Sequence, residues 1–226
     1  MPVFFPDVED LVCRTGLTVR GGLHPCDKDN VLGKPSTLIL VGNFGPDMWA
    51  TFSRVSDQYA NNSNPLDDWV RDQLNAVAEE LGASVLFPFG GPPFLPFQRW
   101  AQKAEPVASS PLGILINPEY GLWHAWRGAL AFDEVIELPQ RDKLASPCES
   151  CVDKPCLSAC PVGAFGLDGY DVLGCVTHIE TLVGSDCMEL GCRARRACPV
   201  GRAYTYEPAQ AAFHMHAFRA AQRGGS

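Results

Sequence analysis

The chain has 226 residues, enough for one large or two small domains around a real core. Its 18 basic and 26 acidic residues leave a formal charge of −8, which disfavours a nucleic-acid partner because such a partner would want a basic face. No run approaches the ~18 consecutive apolar residues of a membrane span, and the opening MPVFFPDVED lacks the basic region and long apolar run of an export signal, so a cytoplasmic protein is expected.

In chain order, 7–15 (DVEDLVCRT) predicts a short helix stopped by Gly16, and 17–20 a short strand. Residues 21–35 are turn-rich; Cys13 and Cys26 read as ordinary thiols, since His24 beside Cys26 has no second ligand pair nearby. The run 36–41 (STLILV) is apolar throughout and of strand length, as a buried strand is. Residues 42–45 then turn the chain into a helix opened by Pro46 and carrying Met48, Trp49, Phe52, Val55 and Tyr59. The glycines of that turn match no phosphate-binding pattern, so it reads as a tight turn.

The clearest helix is 65–81. Asn64 can cap it, Pro65 suits its first position, and Asp67 and Asp68 favour the positive end of its dipole. Leu66, Trp69, Val70, Leu74, Val77, Ala78 and Leu81 form one apolar stripe, and Gly82 ends it. Residues 83–89 predict another strand, followed by Gly-Gly-Pro-Pro at 90–93 and an aromatic segment. Two more strands are expected at 112–116 and 129–138. Between them NPEYGLWHAWRG (117–128) either lines a pocket for a planar ligand or forms a hairpin with core aromatics, and composition favours the hairpin. The stretch 208–223 predicts a closing amphipathic helix, on which His214 and His216 are two apart and cannot share a face.

Eight of the ten cysteines lie within 147–201, and the tetrapeptide Cys-Pro-Val-Gly occurs at 160–163 and again at 198–201. A repeated Cys-Pro closing a run of close-spaced cysteines is the signature of a bacterial-type two-cluster ferredoxin, in which the fourth cysteine of each run ligates the other cluster. That rule assigns Cys148, Cys151, Cys156 and Cys198 to one 4Fe–4S cluster and Cys160, Cys175, Cys187 and Cys192 to a second. Two departures stand out: four residues separate Cys151 from Cys156, where two are usual, and eleven separate Cys175 from Cys187. Longer loops add little closure entropy. Two four-cysteine zinc sites, or a disulfide framework, are the alternatives; with no export signal, metal in a reducing compartment is favoured over disulfides. Arg193, Arg195 and Arg196 form the densest basic cluster, placed to offset an anionic cluster, to dock an acidic partner, or simply to face solvent.

The cysteine region, with YDVLGCVTHIET between its halves, resembles the double-cluster domain of epoxyqueuosine reductases, iron–sulfur and cobalamin-dependent relatives of the reductive dehalogenases. Upstream, SPLGILINPEYGLWHAWRGALAFDEVIELP is similar to the segment that leads into those clusters. With STLILVGNFGPDMW and NPLDDWV it also resembles the cobalamin-processing chaperones that remove upper-axial ligands. The resemblance implies an α+β architecture: a nitroreductase-like, cobalamin-chaperone-like α/β sandwich over 1–145, then a ferredoxin-like two-cluster module over 146–226. It also implies corrinoid contacts at Tyr120, Gly121, Trp123 and Arg127, with Phe89, Gly90, Gly91 and Pro92 opposite. A histidine of the chaperones has no counterpart where this chain carries Phe87 and Pro88. The tRNA-holding helical repeats and the catalytic acid of the reductases are not matched either, so tRNA modification is not expected.

The resulting expectation is an iron–sulfur electron-transfer protein or oxidoreductase that exchanges electrons with a redox partner protein and with a corrinoid, or less readily a flavin. A cobalamin-trafficking escort and a plain ferredoxin-like carrier are the alternatives.

Overall fold

The computed structural model describes residues 2–141, 144–167 and 169–224. The chain divides into two compact units, one made of Met1–Pro106 and His124–Leu144, the other of Val107–Trp123 and Ala145–Ser226. The second break lies one residue from the 145/146 boundary expected from sequence. In addition, residues 107–123 leave the first unit and join the cysteine-bearing one.

In the first unit, α1 (Phe5–Arg14) buries Phe5, Val8 and Val12, spaced by one helical turn. The chain continues through β1 (Thr18–Leu23), β2 (Thr37–Phe44), α2 (Asp47–Ser53), α3 (Pro65–Leu81), β3 (Ser84–Leu86) and α4 (Phe97–Ala104). It then crosses two short strands of the other unit, β4 (Ala108–Ser109) and β5 (Leu115–Ile116), before β6 (His124–Phe132). Strands β1, β2, β6 and β3 form one sheet in that order, each neighbouring pair antiparallel. β2 is buried from Thr37 to Asn43, which is why its sequence is apolar without alternation. Gly42 sits at a bulge opposite β6, where a Cβ would come within 2.1 Å of the Ala125 carbonyl oxygen.

Helix α3 buries the expected stripe, and Gly82 ends it with a left-handed φ of 67°. Asn64 occupies the N-cap position, but its side chain makes no capping bond. Other expectations shift. The helix after Pro46 stops at Ser53, and a 3-10 turn covers Ser56–Tyr59. Ser53 Oγ donates to the Trp49 carbonyl and Ser56 Oγ to the Ser53 carbonyl, and such hydroxyl bonds compete with continuation of the helix. The aromatic segment holds α4, whose Phe97, Trp100, Ala101 and Ala104 are buried at helical spacing. The strand expected at 129–138 starts at His124 and ends at Phe132, because β6 pairs with β2 from Thr37↔Phe132 to Phe44↔His124. Beyond Phe132, Thr37 Oγ1 donates to the Glu134 carbonyl and accepts the Ile136 N–H, both at 2.9 Å, in place of ladder bonds.

A buried polar network lies at the β1, β2 and β6 ends of this unit. Arg20 and Glu105 are 4% and 5% exposed and pair at 2.7 Å. Glu105 also accepts the Trp126 indole N–H at 2.6 Å, and Arg20 donates to the Asn43 carbonyl at 2.9 Å.

The second unit is built of short pieces. β4 and β5 pair as a ribbon, and Asn117 and Gly121 bridge the turn that follows. Then come α5 (Pro147–Ser150), α6 (Pro155–Ser158), the paired strands β7 (Phe165–Gly166) and β8 (Gly169–Tyr170), α7 (Val172–Ile179), α8 (Ser185–Leu190), α9 (Arg193–Arg196) and α10 (Pro208–Arg223). α10 packs on α8, with Met215 and Phe218 against Ile179, Cys187 and Met188. Among the described residues no helix is long and apolar enough to cross a membrane.

Candidate metal centres

Short helices place most of the cysteines. Cys148 lies in α5 and Cys151 at its C-terminal cap, while Cys156 lies in α6; both helices open on proline, whose fixed φ suits a first helical position. Cys175 lies in α7, capped by Asp171 accepting the Gly174 N–H at 2.9 Å. Cys187 is in α8 and Cys192 is the N-cap of α9. The repeated tetrapeptide repeats in geometry too, since Gly163 and Gly201 both take left-handed φ, 59° and 72°.

The eight cysteines divide between two cavities. Cys148, Cys151, Cys156 and Cys198 line one of about 20 Å³, walled mostly by proline and aliphatic side chains. Cys160, Cys175, Cys187 and Cys192 line another of about 520 Å³, together with Tyr170, His178, Arg195 and His214. These are the two crosswise sets expected from the Cys-Pro rule. Electrostatics follows the same division. Burial pushes the thiols of Cys148 and Cys156 up, and Cys198 and Cys151 push them further. Burial likewise raises Cys175 and Cys192; Cys160 and Cys187 add to the first, Cys187 and Cys175 to the second. Cys13 and Cys26 are exposed and belong to neither set, and all ten cysteines are free of disulfides. Among the described residues no three His, Cys, Asp or Glu side chains make a set for a single metal ion.

This donor set fits an iron–sulfur cluster. Burial and the neighbouring cysteines make Cys148 and Cys156 in one quartet, and Cys175 and Cys192 in the other, hold their protons, so thiolates there need a strongly cationic core between them. Around the second quartet, the Ala164 N–H donates to Cys160 Sγ at 3.3 Å.

The basic cluster splits into two roles. Arg193 pairs with Asp186 at 2.6 Å, and Arg196 bonds the same carboxylate. Arg195 instead packs its guanidinium against both the Trp123 and Tyr206 rings, 4.6 Å from each ring centre, and donates to the Leu122 carbonyl at 2.6 Å. Only this last arginine is locked in place by aromatic stacking.

Of the residues implied as corrinoid contacts, Tyr120, Gly121 and Trp123 fall in the cysteine-bearing unit. Tyr120 and Trp123 are buried there, Tyr120 against Tyr204 and Trp123 against Tyr206. Gly121 has φ 60°, and a Cβ on it would lie 2.2 Å from the Val200 carbonyl oxygen; a Cβ on Gly201 would lie 2.3 Å from the Tyr120 carbonyl carbon. The close backbone approach that Gly121 permits is therefore to the second Cys-Pro-Val-Gly turn. Phe89, Gly90, Gly91, Pro92 and Arg127 belong to the first unit. Phe89 is half-buried beside Phe87, and the Arg71 guanidinium lies 4.9 Å from the Phe87 ring centre and 5.2 Å from that of Phe89. Arg127 Nε donates to Asn43 Oδ1 at 3.0 Å. Asp67 feels both Arg127 and Arg71, yet burial outweighs them and holds its carboxyl above the usual range. Asp67 thus ties Phe89 and Arg127 into one neighbourhood through Arg71. Sequence reasoning read Asp67 only as a helix-dipole acid and passed over Arg71, although the two sit one helical turn apart. It also left out Tyr170. His214 reaches the second cavity, whereas His216 on the same helix is exposed.

No family model matches the chain, and no curated protein does. Its likeness is to solved structures. Epoxyqueuosine reductase from Streptococcus thermophilus superposes with a TM-score of 0.55 at 16% identity, over 91% of this chain and 69% of that one. An epoxyqueuosine reductase solved with an epoxyqueuosine-modified tRNA-Tyr stem loop gives 0.52 at 15% identity, over 90% and 68%. CblC, a B12-trafficking protein of C. elegans and homologue of human MMACHC, gives 0.55 at 13% identity, over 95% of each chain. At such identities the likeness shows the fold: the chain has the mixed α/β fold of epoxyqueuosine reductase and of the B12-trafficking protein CblC, with small sheets. Because one of these structures carries a tRNA stem loop, the comparison lends no support to excluding nucleic acid on net charge alone.

Proposed function

We propose that the chain is an iron–sulfur electron-transfer protein whose cysteine-bearing unit holds two 4Fe–4S clusters, one per quartet, and whose first unit takes a corrinoid, or less readily a flavin. The observation that carries the reading is the division of eight cysteines into two cavities along the crosswise sets expected of a two-cluster ferredoxin. When bound, such clusters supply single electrons at potentials set by burial, hydrogen bonds to sulfur and nearby charge. The chain's own residues hold the sulfurs, cap the short helices that carry them, and aim the Ala164 N–H at Cys160.

On the first unit, the Arg71 guanidinium lies over the ring of Phe89 and Arg127 donates to Asn43, so a ligand there would meet an aromatic ring, the exposed Gly90 and two guanidinium groups. That combination suits a planar macrocycle rimmed with amide oxygens. The likeness to the reductases and to CblC supports a corrinoid over a flavin, and no single side chain is assigned as catalytic.

Purification without oxygen, followed by iron, sulfide and zinc analysis, tests the first half. About eight irons per chain are expected from two cubanes; zinc, or iron well below that, overturns it. Adding cob(II)alamin tests the second half, with binding and dithionite-driven reduction expected. Likeness to CblC over 95% of both chains favours a second reading, a cobalamin-trafficking escort with structural or redox-sensing clusters. Binding without reduction would support that escort. Absence of binding would leave a ferredoxin-like carrier, and a tRNA stem-loop titration checks whether the acidic chain binds nucleic acid.

A further inference from the structure

Strand β6 does not run past β2 in regular register. Val41 pairs with Gly128 and Gly42 with Trp126, so Arg127 is an extra residue of β6. A bulge of this kind re-aims the side chain it carries, and such bulges recur beside binding sites. Glycines make room on both strands. A Cβ on Gly42 would lie 2.1 Å from the Ala125 carbonyl oxygen, and one on Gly128 would lie 2.4 Å from Leu74 Cδ1.

Asn43, the next residue of β2, catches the side chain so displayed. It is 1% exposed, and its Oδ1 accepts the Arg127 Nε–H at 3.0 Å. A guanidinium has no acceptor, so the amide has to turn its oxygen, and not its nitrogen, toward Arg127. Asn43 is fixed from behind as well: its carbonyl accepts from Arg20 Nη1 at 2.9 Å, and Arg20 pairs with Glu105 at 2.7 Å. A buried chain of Glu105, Arg20 and Asn43 therefore ends on a half-buried guanidinium. The aromatic pair lies at the same corner of the unit. Phe87 Cδ1 is 3.7 Å from the place a Cβ on Gly128 would take, and the Phe87 and Phe89 ring centres are 5.1 Å apart. Arg71 covers both rings from α3, one turn before the Leu74 that meets Gly128.

We propose that Asn43 is a positioning residue for the ligand of the first unit, setting the plane in which Arg127 presents its N–H groups. This rests on the reading that the first unit takes a corrinoid on its Phe89 and Arg127 side. The N–H donors of a guanidinium lie in one plane, so fixing Nε also fixes where the Nη groups point. An amide oxygen at the rim of the macrocycle then meets an arginine already ordered. Ordering such a long side chain only on binding would weaken affinity about two- to tenfold.

The test is a titration of the full chain with cob(II)alamin without oxygen, followed by visible absorbance, with a thermal melt of each variant. Asn43→Leu keeps a branched side chain and removes the acceptor; it should bind about two- to tenfold more weakly. Asn43→Asp keeps an oxygen for Nε and should stay within about twofold of the unchanged chain. Asn43→Leu/Arg127→Met should lose no more than Arg127→Met alone, because Asn43 acts through that arginine. Asn43→Ala replaces Asn43→Leu if the leucine variant is not folded at the titration temperature. If the acceptor-free variant binds within about twofold of the unchanged chain, if Asn43→Asp loses as much as it does, or if the losses in the double variant add, the inference is wrong while the corrinoid reading stands. If no Asn43 variant stays folded, the residue is structural and the inference is likewise wrong. If the unchanged chain binds no cob(II)alamin, the corrinoid reading falls and takes the inference with it.

Discussion

The Arg20–Glu105 pair offers the sharpest test of how the first unit is held. Both side chains are almost wholly out of water, 1% and 6% exposed, and 2.7 Å apart. Glu105 also takes the indole N–H of Trp126, so one carboxylate joins α4, β1 and β6. Glu105→Ala removes a buried charge's partner and leaves the Arg20 guanidinium to be desolvated without its carboxylate. Breaking such a pair costs about 3–5 kcal/mol. Two unit charges about 4 Å apart at an effective dielectric near 20 attract by about 4 kcal/mol, which is the same scale. For a chain of this size, each kcal/mol lowers the melting temperature by about 2–4 °C, so a drop of roughly 10 °C is expected. Thermal melts and urea titrations of the full chain provide the measurement. The paired change Arg20→Met with Glu105→Leu should recover at least half of the loss, because it removes both charges at once. A cost for Glu105→Ala below about 1 kcal/mol, or a double variant no better than the sum of the singles, would refute the argument.

Three further outcomes are expected. If Cys198 shares a cluster with Cys148, then Cys148→Ala and Cys148→Ala/Cys198→Ala should lose the same amount of iron, about four per chain, whereas Cys175→Ala/Cys198→Ala should lose nearly all of it; iron analysis decides, and additive loss in the first pair would break the crosswise assignment. Gly121→Ala should destabilise the cysteine-bearing unit by more than about 2 kcal/mol, since strain at positive φ adds to a Cβ 2.2 Å from the Val200 carbonyl oxygen; Gly163→Ala, with a similar φ but open space around it, should cost about 1–2 kcal/mol, as urea melts will read. The carboxyls of Asp29 and Asp67 should give opposite pH trends. Burial works to raise Asp29, but the Cys26 N–H and the Lys103 ammonium at 2.5 Å win and hold it low, so its contribution is present above the ordinary Asp range and is lost as pH falls below it. Burial holds Asp67 high, so its contribution is present below that range and is lost as pH rises through it. Denaturant titrations from pH 3 to 7 should therefore show Asp29→Asn flattening the acid limb and Asp67→Asn steepening it; the reverse order would contradict these assignments.

Much of the fold could be read along the chain. The helix at 65–81 was legible because its apolar stripe, its Pro65 start and its Gly82 stop all agree, and β2 because an unbroken apolar run needs cover on both faces. Helix α4 was obscured by the prolines before it, and the polar half of β6 by its own composition. His124–Arg127 is strand because β2 supplies the backbone partners, which no property of those four residues announces. Likewise composition favours a hairpin over a ligand loop for 117–128, but the close approach of Gly121 to the Val200 carbonyl comes from a distant turn of the chain.

Local residue chemistry by itself determined which atoms could bind metal: eight thiols, a doubled Cys-Pro-Val-Gly, and a spacing rule that sorts them crosswise. Only the tertiary structure decided what surrounds each set, because a sulfur's neighbours come from distant turns of the chain. Folding packs Arg195 against Trp123 and Tyr206, sets Tyr170 in the same cavity as Cys175, and leaves one quartet in a tight cavity and the other in a wide one. Electrostatic energy depends on distance and on access to water, and neither is written in sequence separation.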